Sequence, residues 1–526
     1  MRRQRICQFL AFLFFFYLIV AAGSLAADQY LLPWFIALDP AASLGTALAA
    51  RAIFTGMAGG LLVLALTLIF GRVFCGHVCP LGACIDLADH PFGRGKRSLP
   101  GLPRVRIFFF VLLFGAACGG LSLLFAFAPL AISTRLLALL GEPVLRLGAA
   151  YGVNFLRPLG DHWNWGWLTF AQIRTPFYHL SFSLLILTLA PIVGSLIAPR
   201  FWCRALCPAG ALFSFAAWRP ALKREVSESC IDCGLCRENC PTEAIGKNPR
   251  ITRHGECITC RKCVGACPVN AIRFSFSAGK PAESPLPDPA RRTLLLGGVT
   301  LAAGGALLST SWGSAISAPP LVRPPGARPE PDFLRRCIAC GACMAACPTN
   351  TLQPSDLNRN WKALLTPLLT PVVGPCRTDC SRCGQVCPTS AILPLAPEEK
   401  IWARPGTAHI RRRRCIAWLE ERACLVCDEV CPFDAIVLVR VPGISNPVPE
   451  VIASRCSGCG YCEHECPVTG ERAIVVIPEG AVRLNENRHR QKGIETGLDI
   501  RLHADTDAGY PSGEENPSEL PPGFTP

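Results

Sequence analysis

Apolar residues gather into five runs, at residues 6–27, 52–70, 107–130, 179–198 and 294–312. A bilayer's hydrocarbon core is about 30 Å thick and takes roughly 20 helical residues to cross. Each of the first four runs therefore predicts a membrane-spanning helix. The fifth, rich in Gly and Ala, reads either as a span or as a cleavable signal. Residues 276–290 form a linker rich in Pro, Ser and Ala, and the Pro-rich residues 313–332 are expected to be an extended spacer. From about residue 485 the chain is polar and contains Pro and Gly, which predicts a disordered tail.

Basic residues orient the runs through the bias of inner loops toward Lys and Arg. Arg2, Arg3 and Arg5 precede the first run. Arg72, Arg94, Lys96, Arg97, Arg104 and Arg106 follow the second, and Arg200, Arg204, Arg219, Lys223 and Arg224 follow the fourth. The loop 28–51 holds a single basic residue, and Trp163, Trp165 and Trp167 form an aromatic cluster suited to a membrane interface between the third and fourth runs. The N-terminus and residues 225–275 are thus expected on the cytoplasmic side. Arg291 and Arg292 open the fifth run in a twin-arginine-like arrangement. Iron–sulfur cargo assembled in the cytosol would have to cross folded, which agrees with such a leader. The net charge of +14 is mostly inner-loop arginine and says little about nucleic acid.

Cysteine changes the picture most. Of 31 cysteines, 24 fall into six groups of four. They are Cys230, Cys233, Cys236 and Cys240; Cys257, Cys260, Cys263 and Cys267; Cys337, Cys340, Cys343 and Cys347; Cys376, Cys380, Cys383 and Cys387; Cys415, Cys424, Cys427 and Cys431; and Cys456, Cys459, Cys462 and Cys466. All end in C-x2-C-x3-C-P, and only the fourth and fifth have longer lead-ins. This is the bacterial ferredoxin run, whose thiolates hold a [4Fe–4S] cubane and whose fourth cysteine ligates the neighbouring cluster. Cys230, Cys233, Cys236 and Cys267 are expected on one cube, and Cys257, Cys260, Cys263 and Cys240 on the next. Disulfide frameworks suit small secreted domains. Zinc sites favour C-x2-C knuckles separated by a gap. Neither asks for four cysteines in eleven residues before a proline. Six groups imply six clusters and an electron conductor.

Two shorter pairs stand at the inner ends of the second and fourth runs. Cys75 and Cys79 lie in FCGHVCPLGA, and Cys203 and Cys207 in WCRALCPAGA. Their likeness suggests a repeated unit whose copies meet at one membrane face. The four thiols could gather a metal, flank a quinone-head pocket or partner dock, or be unligated helix-end thiols. Cys7, Cys84 and Cys118 read as ordinary apolar-segment cysteines. There is no C-x-x-C-H for c-type haem and no G-x-G-x-x-G after a strand for NAD or flavin. His77 and His179 fall at opposite ends of their runs, unlike the facing pairs of a membrane b-haem. Arg411–Arg414 either docks an acidic partner or forms a solvated face. With no cofactor evident to bridge the bilayer, a lipid-soluble quinol is the natural reductant for an outer cluster group.

In this order of features, residues 1–275 resemble the NapH/MauN type of membrane ferredoxin, with four spans, two C-x3-C-P motifs and two [4Fe–4S] motifs. Residues 290–480 resemble the NapG/MauM type, with a twin-arginine-like leader and four [4Fe–4S] motifs whose places are taken by Cys337 through Cys466. The resemblance implies a fusion of the two: a quinol-dehydrogenase-like module of the bacterial inner membrane. It would pass electrons from the quinone pool to a periplasmic redox protein such as a c-type cytochrome or reductase. The expected fold is a polytopic α-helical membrane protein with two α+β ferredoxin-like polyferredoxin units, each cluster pair in a βαββαβ fold. The expected divisions are a membrane domain (1–220), a two-cluster unit (225–275), a linker with the fifth segment (276–332), a four-cluster unit (333–480) and the tail. A redox-sensing or maturation role for a periplasmic metalloenzyme is the alternative.

Overall fold

The computed structural model describes residues 2–23, 31–92, 99, 101–120, 122–123, 126–179, 181–276, 298, 321–357 and 361–502. Residues 1–370, 381–396 and 483–487 form one compact unit, and residues 371–380, 397–482 and 488–526 another. The apolar run 294–312 and the twin arginines lie outside the described residues, apart from residue 298.

The first unit is mostly helical. Two of its described helices, Gln4–Gly23 and Pro129–His162, are long and apolar enough to span a membrane. A third candidate is the pair Leu31–Ala37 and Pro40–Ala50, bent by 86°. The break is set by Asp39, whose carboxylate accepts from the N–H groups of Ala41 and Ala42 and caps the helix that Pro40 begins. Met57–Phe70 and Phe182–Leu196 are apolar but shorter than a full span. The expected span 107–130 is not one helix. Leu102–Cys118 stops there, and Gly120 turns away with φ +85°. The stretch beyond it, expected as an outer loop, is instead the 34-residue helix Pro129–His162. Its charged residues broke the apolar run in the sequence, but Arg135 and Glu142 are buried against protein while Val144, Leu145 and Phe155 are exposed.

The two C-x3-C-P segments fold alike. Val73–His77 and Phe201–Ala205 are short helices that end just before the second cysteine. Pro80 and Pro208 then start the helices Pro80–Phe92 and Pro208–Ala216, as suits a residue with no N–H to satisfy.

Two ferredoxin-like folds complete this unit. In the first, β1 (Leu222–Val226) pairs antiparallel with β2 (Ile272–Phe276), Arg224 opposite Phe274, and the inner hairpin is reduced to one bridge between Ile245 and Thr252. In the second, the inner pair is complete, β3 (Leu352–Pro354) with β4 (Pro367–Leu369), and the outer one is a single bridge between Ala327 and Ile392. The described part of the expected extended spacer, residues 321–332, is packed. Arg323 is buried and donates to Glu330, Thr366 and the Pro367 carbonyl, and Glu330–Arg336 is a helix.

Two helices have these folds at opposite ends, and a third runs from the first C-x3-C-P segment to the second fold. Leu102–Cys118 rises about 25 Å over its length. Arg106 near its start donates to Glu256 of the first fold at 2.5 Å, and Gly120 past its end faces Arg335 of the second. Gly71 after Met57–Phe70 meets Thr259, whereas Gly56 before it packs on the Pro388 carbonyl. At the start of helix Arg2–Gly23, Gln4 donates to the Gly76 carbonyl at 3.1 Å, and at its end Gly23 packs on Ala345.

The second unit has the full βαββαβ ladder set. β5 (Thr407–Ile410) pairs with β8 (Ile474–Ile477), and β6 (Ile436–Val439) with β7 (Val448–Val451), both antiparallel. Of the tail expected to be disordered from 485, residues 485–502 are ordered, and residues 503–526 lie outside the described residues. Its helix His489–Glu495 packs Gly493 against the Trp402 ring, which supplies the apolar anchor its composition concealed.

Candidate iron–sulfur sites

A repeated backbone device builds the cysteine loops. Two residues after the first cysteine, Asp232, Thr259, Ala339 and Gly458 have φ between +44° and +74°. Three residues after the Cys of the first five Cys-Pro pairs of the grouped cysteines, Glu243, Asn270, Asn350, Ser390 and Asp434 have φ between +46° and +58°. That left-handed residue turns the next N–H back onto the sulfur. Ala244 donates to Cys240 Sγ at 3.3 Å, Ala271 to Cys267 at 3.3 Å and Ala435 to Cys431 at 3.4 Å. The sequence offered a signal for this in Asn270, Asn350 and Asp434, residue types that tolerate the left-handed region.

These loops bring together cysteines from neighbouring groups. In the second unit, Cys415, Cys424 and Cys427 line a cavity of about 370 Å³ with Cys466, the last cysteine of the next group. Cys456, Cys459 and Cys462 line another of about 320 Å³ with Cys431, the last of the preceding group. In the first unit, Cys337, Cys340 and Cys343 share a cavity of about 340 Å³ with Cys387. Cys257, Cys260 and Cys263 are gathered with Cys240. Cys230, Cys233 and Cys236 lie together, and Cys267 packs in the small core beside Cys236. Of the fourth group, Cys376 and Cys380 belong to the second unit and Cys383 and Cys387 to the first. Cys347 accompanies Thr349 at its own Cys-Pro turn.

Among the described residues, no three His, Cys, Asp or Glu side chains are close enough to hold a single metal ion. No disulfide joins any of the 31 cysteines, all of which are described. Burial pushes the thiols of Cys257, Cys337, Cys340, Cys427 and Cys459 up to about 12. Thiolates in such a place need compensating positive charge, which iron would supply. A [4Fe–4S] cubane fits this donor set: soft ligands lent between neighbouring loops and N–H groups aimed at sulfur.

The C-x3-C-P thiols form a separate group. Cys75, Cys79, Cys203 and Cys207 share one apolar cluster with Phe74, Ile132, Trp202 and Phe213. Gly210 N–H donates to Cys207 Sγ at 3.3 Å, and Gly82 N–H bonds Cys79 in the same way. Several arginines expected as inner-loop charges are buried around them. Arg72 donates to Glu256 and Ser214, Arg106 to Glu256 and the Cys203 carbonyl, and Arg200 to Asp86 and the Cys75 carbonyl. Arg204 pairs with Glu243 at 2.6 Å.

The remaining candidates are local. Cys7 and Cys118 are exposed and Cys84 is half-buried, all apart from these groups. His77 Nδ1 lies 3.3 Å from the Val73 carbonyl, and His179 N–H donates to Gln353. In the basic run, Arg411 and Arg414 pair with Glu471, and Arg412 stacks on Trp418 at 4.1 Å. Trp163, Trp165 and Trp167 are exposed and in ring contact with one another.

Comparison with known proteins places these loops among iron–sulfur domains. Residues 52–100 and 180–226 match a family described as a 4Fe-4S binding domain, and residues 225–246 and 253–273 match another of that description. Residues 336–392 match a 4Fe-4S dicluster domain. The chain is 34% identical over 205 residues to the methylamine utilization ferredoxin-type protein MauM of Methylorubrum extorquens, covering 36% of this chain and 90% of the relative. It is 32% identical over 225 residues to the ferredoxin-type protein NapG of Escherichia coli, covering 40% of this chain and 96% of the relative. A putative electron transport protein of Escherichia coli, YccM, is 39% identical over 109 residues, covering 20% of this chain and 30% of that protein. No solved structure matches.

Proposed function

The chain belongs to the MauM and NapG family of ferredoxin-type proteins, and on that premise we propose that it is a membrane-bound electron-transfer protein passing electrons from the quinol pool toward a periplasmic acceptor. The N-terminal half serves as the NapH/MauN-like membrane part, and the 24 grouped cysteines hold six [4Fe–4S] clusters. Bound clusters supply one-electron uptake and release. The chain's own residues set where that happens: the left-handed turns fix the thiols, buried N–H groups bond the sulfurs, and the apolar helices separate the two sides.

The observation that carries this reading is the lending of the final cysteine between neighbouring groups. Cys466 lines the cavity of Cys415, Cys424 and Cys427, while Cys431 lines that of Cys456, Cys459 and Cys462. That exchange puts two clusters side by side and serves electron hopping, whereas a zinc or disulfide site has no use for it. The helices with one ferredoxin-like fold at each end support an inner fold at residues 225–275 and an outer one from residue 333. The exposed apolar flank of Pro129–His162 and its tryptophan cluster support multi-pass placement in the inner membrane. The acceptor's class is a redox protein, a c-type cytochrome or reductase.

The test is anaerobic. Purified full-length protein mixed with a quinol should lose its cluster absorbance and regain it when an oxidised c-type cytochrome is added. Clusters that stay oxidised with quinol yet respond to dithionite would refute the quinol role. Undiminished electron flux in cluster-ligand variants, alongside an acceptor enzyme lacking its cofactor, would favour a maturation role.

A further inference from the structure

The two C-x3-C-P segments cross-link each other in matched fashion. Arg72 and Arg200 each stand three residues before the first cysteine of their motif, and Asp86 and Ser214 each stand seven after the second. Arg72 reaches across to Ser214 at 3.3 Å, and Arg200 reaches back to Asp86 at 2.8 and 2.6 Å. A Cβ on Gly82 would face the Cys75 carbonyl and Arg200, and one on Gly210 the Cys203 carbonyl and Arg72. Two copies of one unit thus face each other about a pseudo-twofold relation, each contributing two thiols to a common centre.

The centre's surroundings ask for negative charge. Three buried arginines, Arg72, Arg106 and Arg200, bond two carboxylates, Glu256 and Asp86. Arg72 Nη2 lies 4.0 Å from Cys75 Sγ. The Nε atoms of Arg72 and Arg106 and Nε1 of Trp202 are buried with no hydrogen-bond partner among the described residues. Buried polar groups rarely go unpaired, and guanidinium groups with unused N–H donors beside four thiols fit an anionic thiolate centre.

The centre also lies between two of the cysteine groups already described. On one side Gly76 packs on the Ile258 carbonyl, next to Cys257 and Cys260, and the charge of Arg200 reaches Cys260. On the other side Ile132 joins the thiol cluster. One helical turn further, about 4.5 Å along the same helix, is Arg135, whose charge faces Cys337 and Cys340. A π-helical turn, Leu136–Gly141, begins there, a device often found at functional sites.

We propose that Cys75, Cys79, Cys203 and Cys207 hold a further iron–sulfur cluster, of two or four irons, that joins the inner and outer ferredoxin-like folds into one conducting path through the membrane. This rests on the reading that the ferredoxin loops bind clusters. It removes the gap that otherwise obliges quinol to reduce the outer clusters directly. Each passage moves one electron: the donor cluster is oxidised by one, the acceptor is reduced by one, and no proton or bond changes hands. Quinol remains the ultimate reductant, giving up two electrons singly and releasing two protons.

The experiment uses the full chain, purified anaerobically, with iron analysis and EPR. Wild type should carry two to four irons beyond the about 24 of six cubanes. The variants Cys203→Ser and Cys75→Ser/Cys203→Ser should lose that surplus and one EPR component while keeping the others, and Cys84→Ser should lose nothing. In vesicles with an impermeant reductant on the side of residues 225–275, reduction of the outer clusters should slow at least tenfold in the double variant. Wild-type iron of about 24 with unchanged variants would overturn this proposal alone. Wild-type iron far below about 24 would overturn the ferredoxin reading with it. Should the double variant fail to fold, the wild-type count and the 57Fe Mössbauer spectrum still decide, because a surplus cluster is either present or absent there.

Discussion

Asp86 lies on the exposed-face boundary of helix Pro80–Phe92, yet its carboxylate is the counterion of a fully buried guanidinium. Arg200 grips it at 2.6 Å and Gln8 donates to it at 3.0 Å. Burial alone would raise its pKa, but the charge and hydrogen bonds of Arg200 outweigh that and hold it at about 2, below the usual carboxylate value. A carboxylate depressed in the folded state contributes stability that is complete above its unfolded pKa of about 4 and is lost as pH falls through its folded value. Acid titration of the detergent-solubilised protein should therefore show a loss of stability between about pH 4 and pH 2 that Asp86→Asn reduces. Because that change leaves Arg200 buried and unpaired, it should also cost about 3 kcal/mol at neutral pH, read as a lower midpoint of thermal unfolding. Gly458 offers a second test. Its φ is +74°, and a Cβ there would collide with the Gly406 carbonyl. Gly458→Ala should destabilise the second unit by roughly 2 kcal/mol or more, seen as faster loss of cluster absorbance on heating.

At the scale of elements, the lent cysteines predict a reversed phenotype. Cys431→Ser should alter the EPR signal of the cluster held by Cys456, Cys459 and Cys462, and Cys466→Ser that of the cluster held by Cys415, Cys424 and Cys427, as judged against Cys459→Ser and Cys424→Ser. Matching effects of Cys431→Ser and Cys424→Ser would contradict the exchange. The cysteine loops were legible in the sequence because thiol ligation imposes a strict local spacing, and C-x2-C-x3-C-P survives even where Cys415 and Cys424 are separated by an insertion. The membrane helices were less legible. Apolar runs end at charges, so Arg135 and Glu142 hid the helix Pro129–His162, whose inner face buries both. Gly119 and Gly120, inside an apolar run, ended a helix that hydropathy alone would extend. Arg72, Arg106, Arg200 and Arg204 read as loop charges because a sequence cannot show that Glu256, Asp86 and Glu243 come to meet them.

For the whole molecule, the N-terminal helices and the fold that carries Cys337 are knit within one unit. Tyr178 donates to the Met344 carbonyl at 3.3 Å and Gln353 to the Phe177 carbonyl at 3.0 Å, tying the segment before helix Phe182–Val193 to the fold that carries Cys337. Such contacts should make the outer clusters depend on the membrane helices. Gln353→Ala, which also removes the acceptor of the exposed His179 N–H, should speed reoxidation of the clusters of that fold by air without changing their number, measured by the decay of cluster absorbance. Everything else in the account depends on iron reaching the thiols. The decisive measurement is iron and acid-labile sulfide per chain in anaerobically purified full-length protein, with EPR after reduction. The protein should be brown, with at least about 24 of each and cubane signals from interacting pairs. A colourless protein with little iron, its cysteines titrating as ordinary thiols or binding zinc, would contradict it.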